Sequence, residues 1–60
     1  MSDILKFKRI FANLPLAEKK LPIVEIGGKF YTWEDIYEEI KKKSRLSKRM
    51  LKELKRLGLL

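Results

Sequence analysis

Sixty residues with fifteen Lys and Arg against eight Asp and Glu, a net charge of +7, and neither Cys nor His, make one domain and no more. Disulfides are ruled out, a zinc site would have only carboxylates to draw on, and the commonest general base and the best nucleophile are both missing. The sequence therefore argues against an enzyme and calls for no cofactor, and no stretch approaches the ~18 apolar residues of a membrane span.

The charge is unevenly spread. Residues 1–40 hold six bases and seven acids, a net of −1, whereas residues 41–60 hold nine bases and one acid, a net of +8. Such asymmetry is how a polyanion-binding surface looks in sequence. A chain this short buries only ~60% of the surface it exposes unfolded, so it needs efficient packing, ion pairs or a partner. The opening Met1-Ser2-Asp3 begins with an acid and lacks the basic-then-apolar plan of a leader, which leads to the expectation of a cytoplasmic protein. Abundant Lys and Glu, no Gln and a single Asn (Asn13) resemble the composition of thermophile proteins.

In chain order, the first helix is predicted from about Asp3 to Phe11, capped by Ser2. Ile4, Phe7, Ile10, Phe11 and Leu14 recur on one face. Asn13 and Pro15 end it, and Leu16 to Lys20 has room for one short turn before Pro22. Ile23-Val24-Glu25-Ile26, the tight turn Gly27-Gly28 and Lys29-Phe30-Tyr31 then form a hairpin. Thr32 caps a second helix from Trp33 to about Lys42, with Asp35 placed for a capping box. Trp33, Ile36, Tyr37 and Ile40 form its apolar face. Its acids lie early and its lysines late, as the helix dipole favours, and Glu38–Lys42 and Glu39–Lys43 are spaced for i,i+4 pairs. After a break around Lys43 to Arg45 comes a third helix, capped by Ser44 or Ser47 and running to Leu57, with Gly58 as its stop. Leu46, Met50, Leu51, Leu54 and Leu57 make its apolar stripe. Leu59 and Leu60 either return to the core or begin a strand.

The expected architecture is α+β: a small three-helix domain with a two-stranded β-hairpin between the first and second helices, the second and third forming a helix-turn-helix-like pair. The expected core is Phe7, Ile10, Phe11, Ile23, Phe30, Trp33, Ile36, Tyr37, Ile40, Met50, Leu51, Leu54 and Leu57.

Little here suggests chemistry. Ser2, Ser44 and Ser47 fall where caps belong. Glu34 with Glu38 and Asp35 with Glu39 share a helix face and so bear comparison with a divalent-ion site. A solvated face complementing the dipole accounts for them better. Gly27-Gly28 is a turn, too short for a phosphate loop.

The basic third helix admits three readings: a phosphate-contacting surface for DNA or RNA, a membrane-surface helix, or a solubilising face. The membrane reading conflicts with the need for the Leu stripe in the core. Among the aromatics, Phe30 and Trp33 are expected in the core, leaving Tyr31 as the ring with a chance of exposure.

The order helix, strand, helix, turn, helix, closing on Leu51-Lys52-Glu53-Leu54-Lys55-Arg56-Leu57-Gly58-Leu59-Leu60, resembles the winged-helix and helix-turn-helix superfamily over residues 33–60. There the third helix commonly ends Leu-x-x-Leu-x-x-x-Gly-Leu, matched by Leu51, Leu54, Gly58 and Leu59. The resemblance implies a recognition helix presenting Arg45, Lys48, Arg49 and Lys52 to base edges, with Lys41, Lys42, Lys43 and Lys55 on phosphates. Two departures stand out: no segment follows Leu60 to form the wing, and Ser47 occupies the place, four before the first Leu, where the family carries an apolar residue. Leu46 is the candidate substitute.

The expectation is a non-enzymatic nucleic-acid-binding protein, DNA favoured over RNA. Its site comprises Lys41, Lys42, Lys43, Arg45, Lys48, Arg49, Lys52, Lys55 and Arg56. The alternative is a protein-interaction subunit docking on a larger assembly, possibly a ribonucleoprotein or a replication or transcription complex, with a protein partner or a homodimer as further partners and no membrane.

Overall fold

The computed structural model describes residues 2–60; Met1, which entered the reading of the N-terminus, lies outside the described residues. The elements run α1 (Asp3–Asn13), α2 (Leu16–Lys19), β1 (Pro22–Ile26), β2 (Lys29–Thr32), α3 (Trp33–Lys42) and α4 (Arg45–Arg56). The short turn allowed for after Pro15 is thus a fourth, one-turn helix, and the second and third helices of the sequence are α3 and α4.

The predicted caps start the helices. Ser2 Oγ accepts from the Leu5 N–H, opening α1. Asn13, expected to help stop α1, is its last residue and donates from its side chain to the Arg9 carbonyl. The helix ends at Leu14, held extended as a residue preceding proline must be. At α3, Thr32 Oγ1 accepts from Asp35 N–H at 3.1 Å while Asp35 Oδ2 accepts from Thr32 N–H at 3.0 Å, a complete capping box.

The hairpin turns through Gly27 (φ 61°) and Gly28 (φ 82°), both in the left-handed region that a two-residue turn of this kind demands. That turn dictates the register: Ile26 faces Lys29, Glu25 faces Phe30 and Val24 faces Tyr31, with a bulge between Pro22 and Val24. Directly opposed residues share a face. Val24 and Ile26 are buried toward the helices, and Phe30 goes outward with Glu25, where it is 65% exposed.

This corrects the expected core. Phe30 is outside it, Val24 and Ile26 fill the sheet's share, and Ile23 at the bulge packs half-buried against it. Leu57 is also outside at 47% exposed, because α4 ends before it. Leu60 folds back to pack on the core, and no strand forms after α4. The observed centre is Phe7, Val24, Ile26, Trp33, Ile36, Ile40, Met50, Leu51 and Leu54, with Ile10, Phe11, Tyr37 and Leu46 packed around it.

Aromatic contacts tie α1 to α3. Phe7 lies 5.5 Å from Trp33, and Phe11 stacks on Tyr37 at 4.5 Å with parallel rings. Among rings, offset or tilted pairs of this kind add to what burial alone contributes. Against this platform, and against β1, α4 lays its apolar side.

Candidate nucleic-acid interface

The site is built by the way α4 spends its residues. Met50, Leu51, Leu54 and Ser47 are buried. At about 100° per residue these four cluster on one side, and Arg45, Lys48, Arg49, Lys52, Lys55 and Arg56 fall within an arc of about 120° on the other. All six are exposed, and Glu53, the one acid of the helix, sits at the margin of the arc. The apolar side of α4 is consumed by the core.

Ser47 occupies the position where the resembled family carries an apolar residue. It is buried, 7% exposed, and its hydroxyl donates to the Ser44 carbonyl at 2.6 Å, so the polar group costs little there. Leu46 beside it is half-buried against the core.

The joint between α3 and α4 is two residues long. Lys43 takes a left-handed conformation (φ 55°), the only non-glycine residue among those described to do so. Its N–H reaches the Ile40 carbonyl at 3.1 Å and the Ser44 N–H reaches the Glu39 carbonyl at 3.3 Å. Ser44 then caps α4, its Oγ accepting from the Ser47 N–H at 3.2 Å and donating to Glu39 Oε1 at 2.8 Å. One serine thereby closes the second helix of the pair onto the first. At the far end, Gly58 (φ 78°) turns the chain out of α4, with the Leu59 N–H returning to the Leu54 carbonyl at 2.9 Å and the Gly58 N–H to Lys55 at 3.0 Å.

The nine bases expected at the site are all exposed, and ion pairing divides them. Lys41 pairs with Glu38 at 3.8 Å, Lys42 with Glu39 at 3.7 Å, and Arg56 with Glu53 at 2.8 Å. Lys55 reaches across to Asp3 on α1 at 3.5 Å. The expected i,i+4 pairs Glu38–Lys42 and Glu39–Lys43 are replaced by i,i+3 pairs; the left-handed turn carries Lys43 off the helix, and Lys42 takes Glu39. Lys43, Arg45, Lys48, Arg49 and Lys52 have no carboxylate partner among the described residues. Four of these five lie on the N-terminal two-thirds of the α4 arc.

Three of the four acids of α3 are engaged locally. Asp35 closes the capping box, Glu38 meets Lys41, and Glu39 holds both Lys42 and Ser44. Among the described residues no three potential ligands converge.

Sequence reasoning missed one feature. Phe30 and Leu57, two residues assigned to the core, instead line an open groove between the hairpin and the end of α4, with half-buried Ile23 and beside Glu25, Glu53 and Arg56. The signal was present: a two-residue turn at Gly27-Gly28 must place Phe30 opposite Glu25, and an outward glutamate takes its partner outward with it.

Set against protein-family models, curated proteins and solved structures, the chain finds no match. No helix among the described residues is long and apolar enough to cross a membrane.

Proposed function

We propose that this chain is a non-enzymatic nucleic-acid-binding protein of the cytoplasm that grips phosphates with the outer face of α4. The observation that carries the reading is the run Arg45, Lys48, Arg49 and Lys52: four exposed bases on one helix face with no internal carboxylate to satisfy. Each phosphate they neutralise releases condensed counterions, which is the main source of affinity for a polyanion.

Duplex DNA is the preferred substrate in this reading. An α-helix with its side chains is about 10–12 Å across, close to the ~12 Å width of the B-form major groove, whereas the deep, narrow major groove of RNA excludes it. The helix-turn-helix resemblance assigns base edges to Arg45, Lys48, Arg49 and Lys52, and phosphates to Lys41 to Lys43 and Lys55. The free state of Lys43 and the outward face of α4 support that assignment. The hairpin precedes α3 and the joint has two residues rather than the usual three or four, so the docking angle need not follow the family's.

Fluorescence anisotropy of labelled duplex DNA, duplex RNA and single strands at several salt concentrations tests the proposal. Contact with four to six phosphates on a duplex gives a log–log salt slope between about −3.6 and about −5.4. Reversing two adjacent charges on the arc, Arg49→Glu with Lys52→Glu, takes binding below detection with the far-ultraviolet circular dichroism unchanged. Binding that survives the double reversal places the interface elsewhere, and no binding at low salt removes the proposal.

A further inference from the structure

The groove between the hairpin and the end of α4 is not explained by the basic face. Phe30 is 65% exposed and Leu57 47%, with Ile23 half-buried between the hairpin and the helix. Isolated apolar side chains on a surface mean little, but large ones gathered in a groove mark a contact site. Around them stand Glu25, which has no ion pair among the described residues, and the bonded pair Glu53 and Arg56.

The charges choose between occupants. A nucleobase stacked on Phe30 would bring its phosphates against Glu25 and Glu53, and an anionic lipid surface meets the same repulsion. We propose that the groove is a self-association surface, in which a second copy of this chain packs Phe30 on Phe30 about a two-fold axis. A two-fold contact repeats every pairing in both directions, so it needs a patch carrying its own complement. This patch does: Glu25 of one copy meets Arg56 of the other, twice, around an apolar centre. Arg56 has donors to spare, because a guanidinium carries five N–H groups and Glu53 engages only Nε and one terminal nitrogen.

The whole-molecule charge leaves this face open to a second copy. Two copies of a +7 chain repel, and least where local charge is lowest. The groove holds two carboxylates and one guanidinium, while the rest of residues 41–60 is strongly basic. Area bounds what the contact can bury. A standard interface takes about 800 Å² from each partner, close to a fifth of the 4439 Å² this chain exposes, and the groove alone supplies less. The association is therefore a weak one, to be sought between micromolar and millimolar concentration. It stands independently of the nucleic-acid reading, since a monomer can bind phosphates and a dimer need not.

Sedimentation equilibrium of the full chain from micromolar to millimolar concentration, without nucleic acid, reads it directly. The average mass climbs from that of the 7.2 kDa chain toward twice that value. Phe30→Glu, at an exposed position, keeps the circular dichroism and stays monomeric throughout. Glu25→Arg and Arg56→Glu each raise the association midpoint about tenfold, and the two together restore it. A monomeric mass at every concentration overturns the proposal, as does self-association that persists in Phe30→Glu. Failure of the double charge swap to restore association overturns the two-fold pairing. If Phe30→Ala leaves the mass curve unchanged but weakens binding to a labelled single strand, the groove is a nucleic-acid surface and the proposal fails.

Discussion

At the scale of single residues, Lys43 holds the most instructive position. A left-handed backbone costs a residue with a Cβ about 1–2 kcal/mol, and helices that end this way normally place glycine there. Here the hydrogen bonds from Lys43 and Ser44 back to Ile40 and Glu39 impose the conformation on a lysine. Lys43→Gly relieves that strain but loosens the unfolded chain, so the expected net gain is about 0.5–1 kcal/mol, seen as a higher urea midpoint with an unchanged slope. A lower midpoint would mean that the lysine side chain itself holds the joint. The left-handed turn was not legible in the sequence, since no Gly or Asn announces it, and the mistaken Glu39–Lys43 pair followed directly. Phe30 is the opposite case. Its exposure was legible from the Gly27-Gly28 turn and Glu25, but the scarcity of other large groups to fill the core led to the expectation that Phe30 is buried along with Trp33.

At the scale of elements, the boundaries of the three long helices were readable because each announces its start with a hydroxyl side chain: Ser2, Thr32 and Ser44. What the sequence withheld was the second role of Ser44, whose donation to Glu39 fastens α4 to α3 across the joint. A helical period reports which face is buried and is silent on how two helices are pinned together. Ser44→Ala removes both the cap and the inter-helix bond, and is expected to cost about 1–2 kcal/mol in urea unfolding. Glu39→Ala removes the inter-helix bond and an exposed ion pair of small worth while keeping the cap, so its cost is less. Equal costs for the two variants would show that the cap is worth no more than the Glu39–Lys42 ion pair. The basic arc of α4 was legible throughout, since the buried residues at 47, 50, 51 and 54 and the bases at 45, 48, 49, 52, 55 and 56 follow one helical period.

At the scale of the molecule, stability and the proposed binding pull in opposite directions. Nine bases crowd the last twenty residues, and the four ion pairs that offset them are all at the surface, where each contributes little. Repulsion along α4 therefore outweighs attraction, and salt, by screening both, favours the folded state. The free protein is expected to melt a few degrees higher in moderate salt than in low salt, since for a domain of this size about 1 kcal/mol moves the midpoint by about 4–8 °C. With duplex DNA at a hundred times its dissociation constant, binding adds about 2.7 kcal/mol, raising the low-salt midpoint by roughly 11–22 °C. The same salt that stabilises the free chain strips that gain away as the affinity falls, so the melting curves with and without duplex converge on raising the salt. A free protein that melts lower in salt would show that its ion pairs dominate after all. A duplex-induced rise that ignored salt would mean that α4 holds its ligand by something other than phosphate charge.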